Sequence, residues 1–267
     1  MLRARIATAA VLLCGFLFAL FGLGRLAFAG LVAAIVLLAS LEWAGLVRIA
    51  GRLRWAYAAS VTAGYAGVLW LWLSGHSLNG LHAFAAAFWL LVVPAWMARG
   101  VRADPVAPLW LAGPVVIVPA AIAMVQLHPG PLLAALALPW VADTAAYFAG
   151  RAWGRRKLAP SVSPGKTVEG AAAGLVAVVA YAMICAHGFP SLSPPQGAPA
   201  LAGLALAALV LGVLSILGDL FESAVKRQAG AKDSGRLLPG HGGVLDRIDS
   251  ATSTLPVAAL MHHFWLA

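Results

Sequence analysis

Acidic residues are scarce in this chain, and their placement points to chemistry. Of its nine Asp and Glu, seven lie in the second half: Asp143, Glu169, Asp219, Glu222, Asp233, Asp246 and Asp249. Glu222, Ser223 and Lys226 follow Asp219 at i+3, i+4 and i+7, a spacing that puts all four on one face of a helix. Asp246 and Asp249, three apart, can share a face of another. Between the two groups runs a loop carrying Lys232, Asp233, Arg236, His241, Gly242 and Gly243. Its glycines let the backbone approach a ligand and aim successive N–H groups at an anion, while His241 either donates to phosphate or braces the turn. Carboxylates flanked by Lys and Arg suit a divalent cation together with phosphates. Each piece also has a plainer reading. Asp219 and Glu222 could be helix-end charges pairing with Lys226, and Asp249 a cap for the helix it begins. Their concentration, with the basic residues, in one short stretch favours a site.

A second polar stretch spans Ser161 to Gly170. Its Gly165-Lys166-Thr167 invites a phosphate-loop reading, but the first glycine of that motif would fall at Pro160 and no strand precedes it, which excludes it. Lys166 instead reads as a lone phosphate contact, with Glu169 near the start of the next helix. Arg155, Arg156 and Lys157 need no more than a role as cytoplasmic anchors.

The elements that must position these groups are membrane helices. Hydrophobic residues make up 62% of the 267 positions and charged ones 10%, so lipid has to be the solvent for most of the surface. Apolar runs occur at about 6–22, 27–46, 56–74, 81–97, 107–126, 131–149, 170–189, 200–218 and 251–266. They predict an all-α polytopic bundle of about nine transmembrane helices, since a barrel would need alternating segments of about ten residues. Spans 1–5, within residues 1–130, form an N-terminal part. Residues 131–267 form a catalytic part with cytoplasmic loops at 150–169 and 219–250. With the N-terminus inside, 17 of the 18 Lys and Arg fall on the cytoplasmic side and only Arg25 outside, which predicts N-in, C-out. The net charge of +9 therefore reflects topology and not nucleic-acid binding. Arg3, Arg5, an apolar run and Ala27-Phe28-Ala29 resemble a cleavable signal, but an uncleaved first helix is the expectation for a polytopic chain. Cys14 and Cys185 lie in apolar runs, so neither a disulfide framework nor a metal cluster is indicated.

One pattern is far more specific. Ser223-Ala-Val-Lys226-Arg227, four residues, Lys232-Asp233, then Pro239-Gly-His241-Gly242-Gly243-Val-Leu-Asp246-Arg247-Ile-Asp249 resembles the signature of the phosphatidate cytidylyltransferase (CDP-diacylglycerol synthase) family. Gly218-Asp219-Leu220-Phe221-Glu222, Asp143-Thr144-Ala145-Ala146-Tyr147-Phe148 with Gly150-Arg151, and Ser163-Pro164 with Lys166-Thr167 and Glu169-Gly170 are similar to it as well. The resemblance covers about residues 140–250. It departs at Gly165, where relatives often carry a second lysine. It implies joining of CTP to phosphatidic acid with release of pyrophosphate, in the cytoplasmic (inner) membrane and with the site facing the cytoplasm. Mg²⁺ is the implied cofactor, with a second metal ion or K⁺ as an option, and Asp219 and Asp246 the implied ligands. Asp249 and Asp143 are further candidates. Lys226, Arg227, Lys232 and Lys166 would hold phosphates, with Glu169, Ser223, Asp233, His241, Gly242, Gly243 and Arg247 completing the substrate site. The partners implied are CTP, phosphatidic acid and the bilayer, with a homodimer left open and nucleic acid excluded.

Two other classes fit less well. A secondary transporter would place its charges near the bilayer midplane and usually shows internal repeats, which are not visible here. A CDP-alcohol phosphotransferase would carry a paired Asp-Gly-x-x-Ala-Arg motif, which is absent.

Overall fold

A computed structural model describes residues 2–101, 107–188, 198–237 and 242–266. His241 and the Pro-rich stretch at 190–197 lie outside the described residues. Among the described residues the chain forms nine helices, one for each apolar run. They are α1 (Leu2–Gly22), α2 (Arg25–Leu46), α3 (Gly51–Leu73), α4 (Asn79–Arg99), α5 (Ala107–Gln126), α6 (Pro129–Trp153), α7 (Val168–Gly188), α8 (Ala198–Gln228) and α9 (Leu245–Leu266). Seven of these, α2 to α8, are long and apolar enough to cross a membrane. Large apolar side chains such as Phe18, Leu111, Val176 and Ile184 point outward with about 70% of their surface free, as a bundle solvated by lipid requires.

Helix α9 is the exception in composition and the centre in packing. Its first three turns carry Asp246, Arg247, Asp249, Ser250, Thr252, Ser253 and Thr254, which lowers its hydropathy. It packs against α2, α4, α5, α6 and α8, and residues 250–257 are all buried. The hydroxyls are satisfied internally: Ser253 Oγ donates to the Leu214 carbonyl at 2.7 Å and Ser250 Oγ to that of Ser215 at 3.2 Å. Such interhelical hydrogen bonds stand in for water inside a bilayer. The crossing is close because Gly218 of α8 sits against the Asp249 carbonyl and Ser253 Oγ, where any Cβ would collide.

The segment between α6 and α7 is not a plain loop. Strands β1 (Lys157–Ala159) and β2 (Ser163–Thr167) form an antiparallel hairpin. Thr167 Oγ1 accepts from the Gly170 amide, and Gly170 lies so close to the Ala146 carbonyl that α6 and α7 nearly touch. That approach brings Lys166 at the hairpin's end beside the α6–α8 face.

Below the polar end of α8, Phe221 is fully buried among Trp43, Phe88, Trp89 and Trp96, with ring centroids 5.6 to 6.3 Å away. A π-helical turn at Phe88–Val92 helps aim these rings; it precedes Pro94, whose ring and missing N–H disturb the regular ladder. This cluster is the apolar anchor for the flanking Asp219 and Glu222. Phe221→Ala is expected to destabilise the protein by about 3–5 kcal/mol, as for other buried aromatics. Thermal unfolding in detergent should show a clearly lowered midpoint; an unchanged one would mean the cluster does not hold α8 in place.

Candidate active site

Helix α8 continues to Gln228, so Asp219, Glu222, Ser223 and Lys226 do share one face. Lys166 reaches in from the hairpin and pairs with Asp219. The other Asp219 oxygen accepts from Ser223 Oγ at 3.2 Å. One turn further, the Lys226 ammonium bridges two helices, bonding Glu222 at 2.8 Å and Asp246 at 2.6 Å. The sequence's plain ion-pair reading of Glu222 with Lys226 thus holds, but the same lysine also ties α8 to α9.

Asp246 is the most heavily hydrogen-bonded carboxylate among the described residues. Its Oδ2 accepts from the Ser234 amide, Ser234 Oγ and the Gly243 amide at 2.8 to 2.9 Å. Gly242 turns the chain with φ of +79°, and a side chain there would strike Asp246. Burial pushes the Asp246 carboxyl up, but Lys226 and the Gly243 and Ser234 amides outweigh it and hold it below the usual carboxylate range. Asp249 is not the helix cap its sequence context suggests. It lies a turn inside α9, accepting from the Ser250 amide, because the helix begins earlier, at Leu245.

Asp143 on α6 lies within electrostatic reach of Lys166 and Asp219, and Asp249 within reach of Asp219, Lys226 and Asp143. Four elements (α6, the hairpin, α8 and α9) therefore put their charges in one neighbourhood. Glu169 and Arg227 hold the hairpin. Glu169 accepts from the Arg155 and Arg156 amides at 3.1 to 3.2 Å, and Arg227 donates to the carbonyls of Val162 and Ala231. Lys232, Asp233 and Arg247 are exposed at the rim. Because Arg155 contributes its backbone N–H, Arg155→Ala should change activity by no more than about twofold. A loss of kcat/KM comparable to that of an Asp219 variant would show the side chain touches substrate.

Sequence reasoning missed Ser234, Arg151 and Lys157, the last read as a plain anchor although it lines the cavity described below, and above all Glu42. It is buried at the end of α2 and accepts from Ser234 Oγ and the Val244 and Leu245 amides at 2.9 to 3.0 Å. An acid inside an apolar span was the available signal.

A cavity of about 560 Å³ opens between α6, the hairpin, α7 and α8. Asp143, Arg151, Lys157 and Lys166 line its polar side, Leu175 and Ile216 its apolar side. One space thus offers both cationic groups for phosphate and a hydrocarbon wall.

A family model described as "Cytidylyltransferase family" matches residues 3–265. The chain belongs to the cytidylyltransferase family. It is 40% identical to a protein of Pseudomonas aeruginosa named phosphatidate cytidylyltransferase, over 100% of this chain and 98% of that one. A protein of the same name from Haemophilus influenzae is 34% identical over the full length of both. One from Brucella suis is 51% identical over 48% of this chain and 44% of its own. For a cytidylyltransferase, the donor set suits Mg²⁺: Asp143, Asp219, Asp246 and Asp249 offer only hard carboxylate oxygens, and Glu222 Oε1 is buried with no protein partner. Among the described residues no three acids, histidines or cysteines converge on one point. A bound Mg²⁺ would then complete its shell from phosphates and water, as it commonly does.

Proposed function

We propose that this family member transfers CMP from CTP to phosphatidic acid, giving CDP-diacylglycerol and pyrophosphate. The observation that carries the reading is the amphipathic cavity, in which Lys166, paired with Asp219, stands beside an apolar wall. A lipid phosphate can reach that lysine while its chains stay against hydrocarbon. A phosphate monoester oxygen, already anionic at pH 7, attacks the α-phosphorus of CTP; the bond from that phosphorus to the β-phosphate oxygen breaks, and pyrophosphate leaves. Positioning and charge neutralisation carry such a reaction, and no protein general base is required.

In this reading Lys166, Lys226, Arg227 and Lys232 bind phosphates, and Asp143 and Asp249 shape the field around them. Glu169, Ser223, Asp233, Gly242, Gly243 and Arg247 border the substrates. Asp219 and Asp246 hold Mg²⁺, which when bound neutralises the triphosphate and polarises its phosphorus. Lys226 bonds Asp246 Oδ1 and so holds that carboxylate beside the phosphate-binding cations. The chain spans the bacterial inner membrane nine times, N-in and C-out, with the site at the cytoplasmic face; the one-sided Lys and Arg distribution supports this. Purified protein with radiolabelled CTP and phosphatidic acid should form labelled CDP-lipid only when Mg²⁺ is present. Folded protein that forms none defeats the proposal.

A further inference from the structure

Glu42 lies outside every motif, 192 residues before its nearest binding partner in the catalytic half counted from Ser234. Its carboxylate is nevertheless built into the loop that presents Asp246. Oε1 accepts from the Val244 amide at 3.0 Å and Oε2 from the Leu245 amide at 2.9 Å. These N–H groups open α9, where the first amides have no intrahelical acceptor and the helix dipole favours a negative charge. Oε2 also lies 3.0 Å from Ser234 Oγ, which is 2.9 Å from Asp246 Oδ2. That hydroxyl has one hydrogen to give, so it links the two carboxylates and serves one at a time. The backbone at Gly235 and at Gly243 lies directly against Glu42: a Cβ on either would collide with its carboxylate.

The platform beneath Glu42 is fixed. Trp43 Nε1 donates to the Leu109 carbonyl at 2.9 Å, tying α2 to α5. Gln228 Nε2 donates to the Leu46 carbonyl at 3.1 Å, tying the end of α8 to the end of α2. Glu42 is therefore held on a platform fixed by α5 and by α8, the helix that carries Asp219 and Lys226.

We propose that Glu42 is a positioning residue for the reaction. It caps α9 from another helix, anchors Ser234, Gly235 and Gly243, and thereby orients Asp246 toward Lys226. The inference rests on the role given above to Asp246.

Glu42→Gln preserves size but presents an amide NH₂ to donors, so at least one bond is lost. With it, amide hydrogen exchange at residues 243–246, measured without Mg²⁺ or substrate, should accelerate about tenfold or more. The kcat should fall about 10- to 100-fold, the range for groups that orient a metal ligand, while KM for phosphatidic acid stays within about twofold. Ser234→Ala should act in the same direction, and its effect on kcat should not add to that of Glu42→Gln, as expected for two groups in one network. An unchanged kcat per folded molecule, or a reduced kcat with unchanged exchange at 243–246, overturns the proposal. If Glu42→Gln does not fold, Ser234→Ala decides: wild-type kcat and exchange in that variant overturn it too. Wild-type protein that makes no CDP-lipid would defeat the assigned reaction, whereas the exchange result would still report whether Glu42 holds the loop.

Discussion

Asp219→Ala is expected to cut turnover by at least about 10³-fold, equivalent to ~4 kcal/mol of transition-state stabilisation, while the protein still inserts and folds. The asymmetry between activity and stability follows from the site. The Asp219 side chain keeps 22% of its surface exposed, so its removal opens no sealed cavity. Its partners, Lys166 and Ser223, are themselves partly exposed and can turn to water. What is lost is the charge that holds Lys166 in the cavity wall and, in the proposed reaction, a ligand for Mg²⁺. Asp219→Asn should be nearly as inactive, because it keeps the shape and loses the charge. Both are measured as labelled CDP-lipid formed per folded protein, with thermal unfolding alongside. Near-wild-type turnover in either variant removes Asp219 from the metal site.

Much of this arrangement is legible in the sequence, and the reasons for the rest are physical. Each apolar run corresponds to a helix because a chain in lipid has few other ways to satisfy its backbone. The Asp219 to Lys226 face follows from helical spacing alone. The hairpin at 157–167 is not legible: Ser163-Pro164-Gly165 has poor strand propensity and no alternation, and its pairing depends on the approach of α6 to α7. Glu42 is hidden for a different reason. Within its own span it is one acid among apolar neighbours, and its meaning comes from Ser234, Val244 and Leu245, which only folding brings to it. The same holds for Asp249, whose sequence context of Asp before Ser suggests a cap. The cap role passes to a carboxylate on α2, and Asp249 is left a turn inside α9 among the other charges. Local patterns therefore locate the acids, while their division of labour depends on contacts across the bundle.

Lys226→Met should show the reverse balance from Asp219→Ala, losing stability as well as activity. The Lys226 side chain is 12% exposed and its ammonium neutralises Glu222 and Asp246, whose side chains are only 6% and 7% exposed. Without it two nearly buried carboxylates face each other uncompensated, and Glu222 already has one oxygen with no partner. Removing one member of such a buried pair typically costs about 3–5 kcal/mol, because a charge is left behind. The unfolding midpoint in detergent should fall sharply, and turnover should be lost. A second substitution separates the two effects. Glu222→Gln placed on Lys226→Met removes one stranded charge, so it should recover a substantial part of the lost stability. It should not recover turnover, because the proposed reaction needs a cation there for phosphate and for holding Asp246. Recovery of both would confine Lys226 to neutralising Glu222, and a Lys226→Met protein as stable as wild type would show that the bridge between α8 and α9 contributes nothing to the fold.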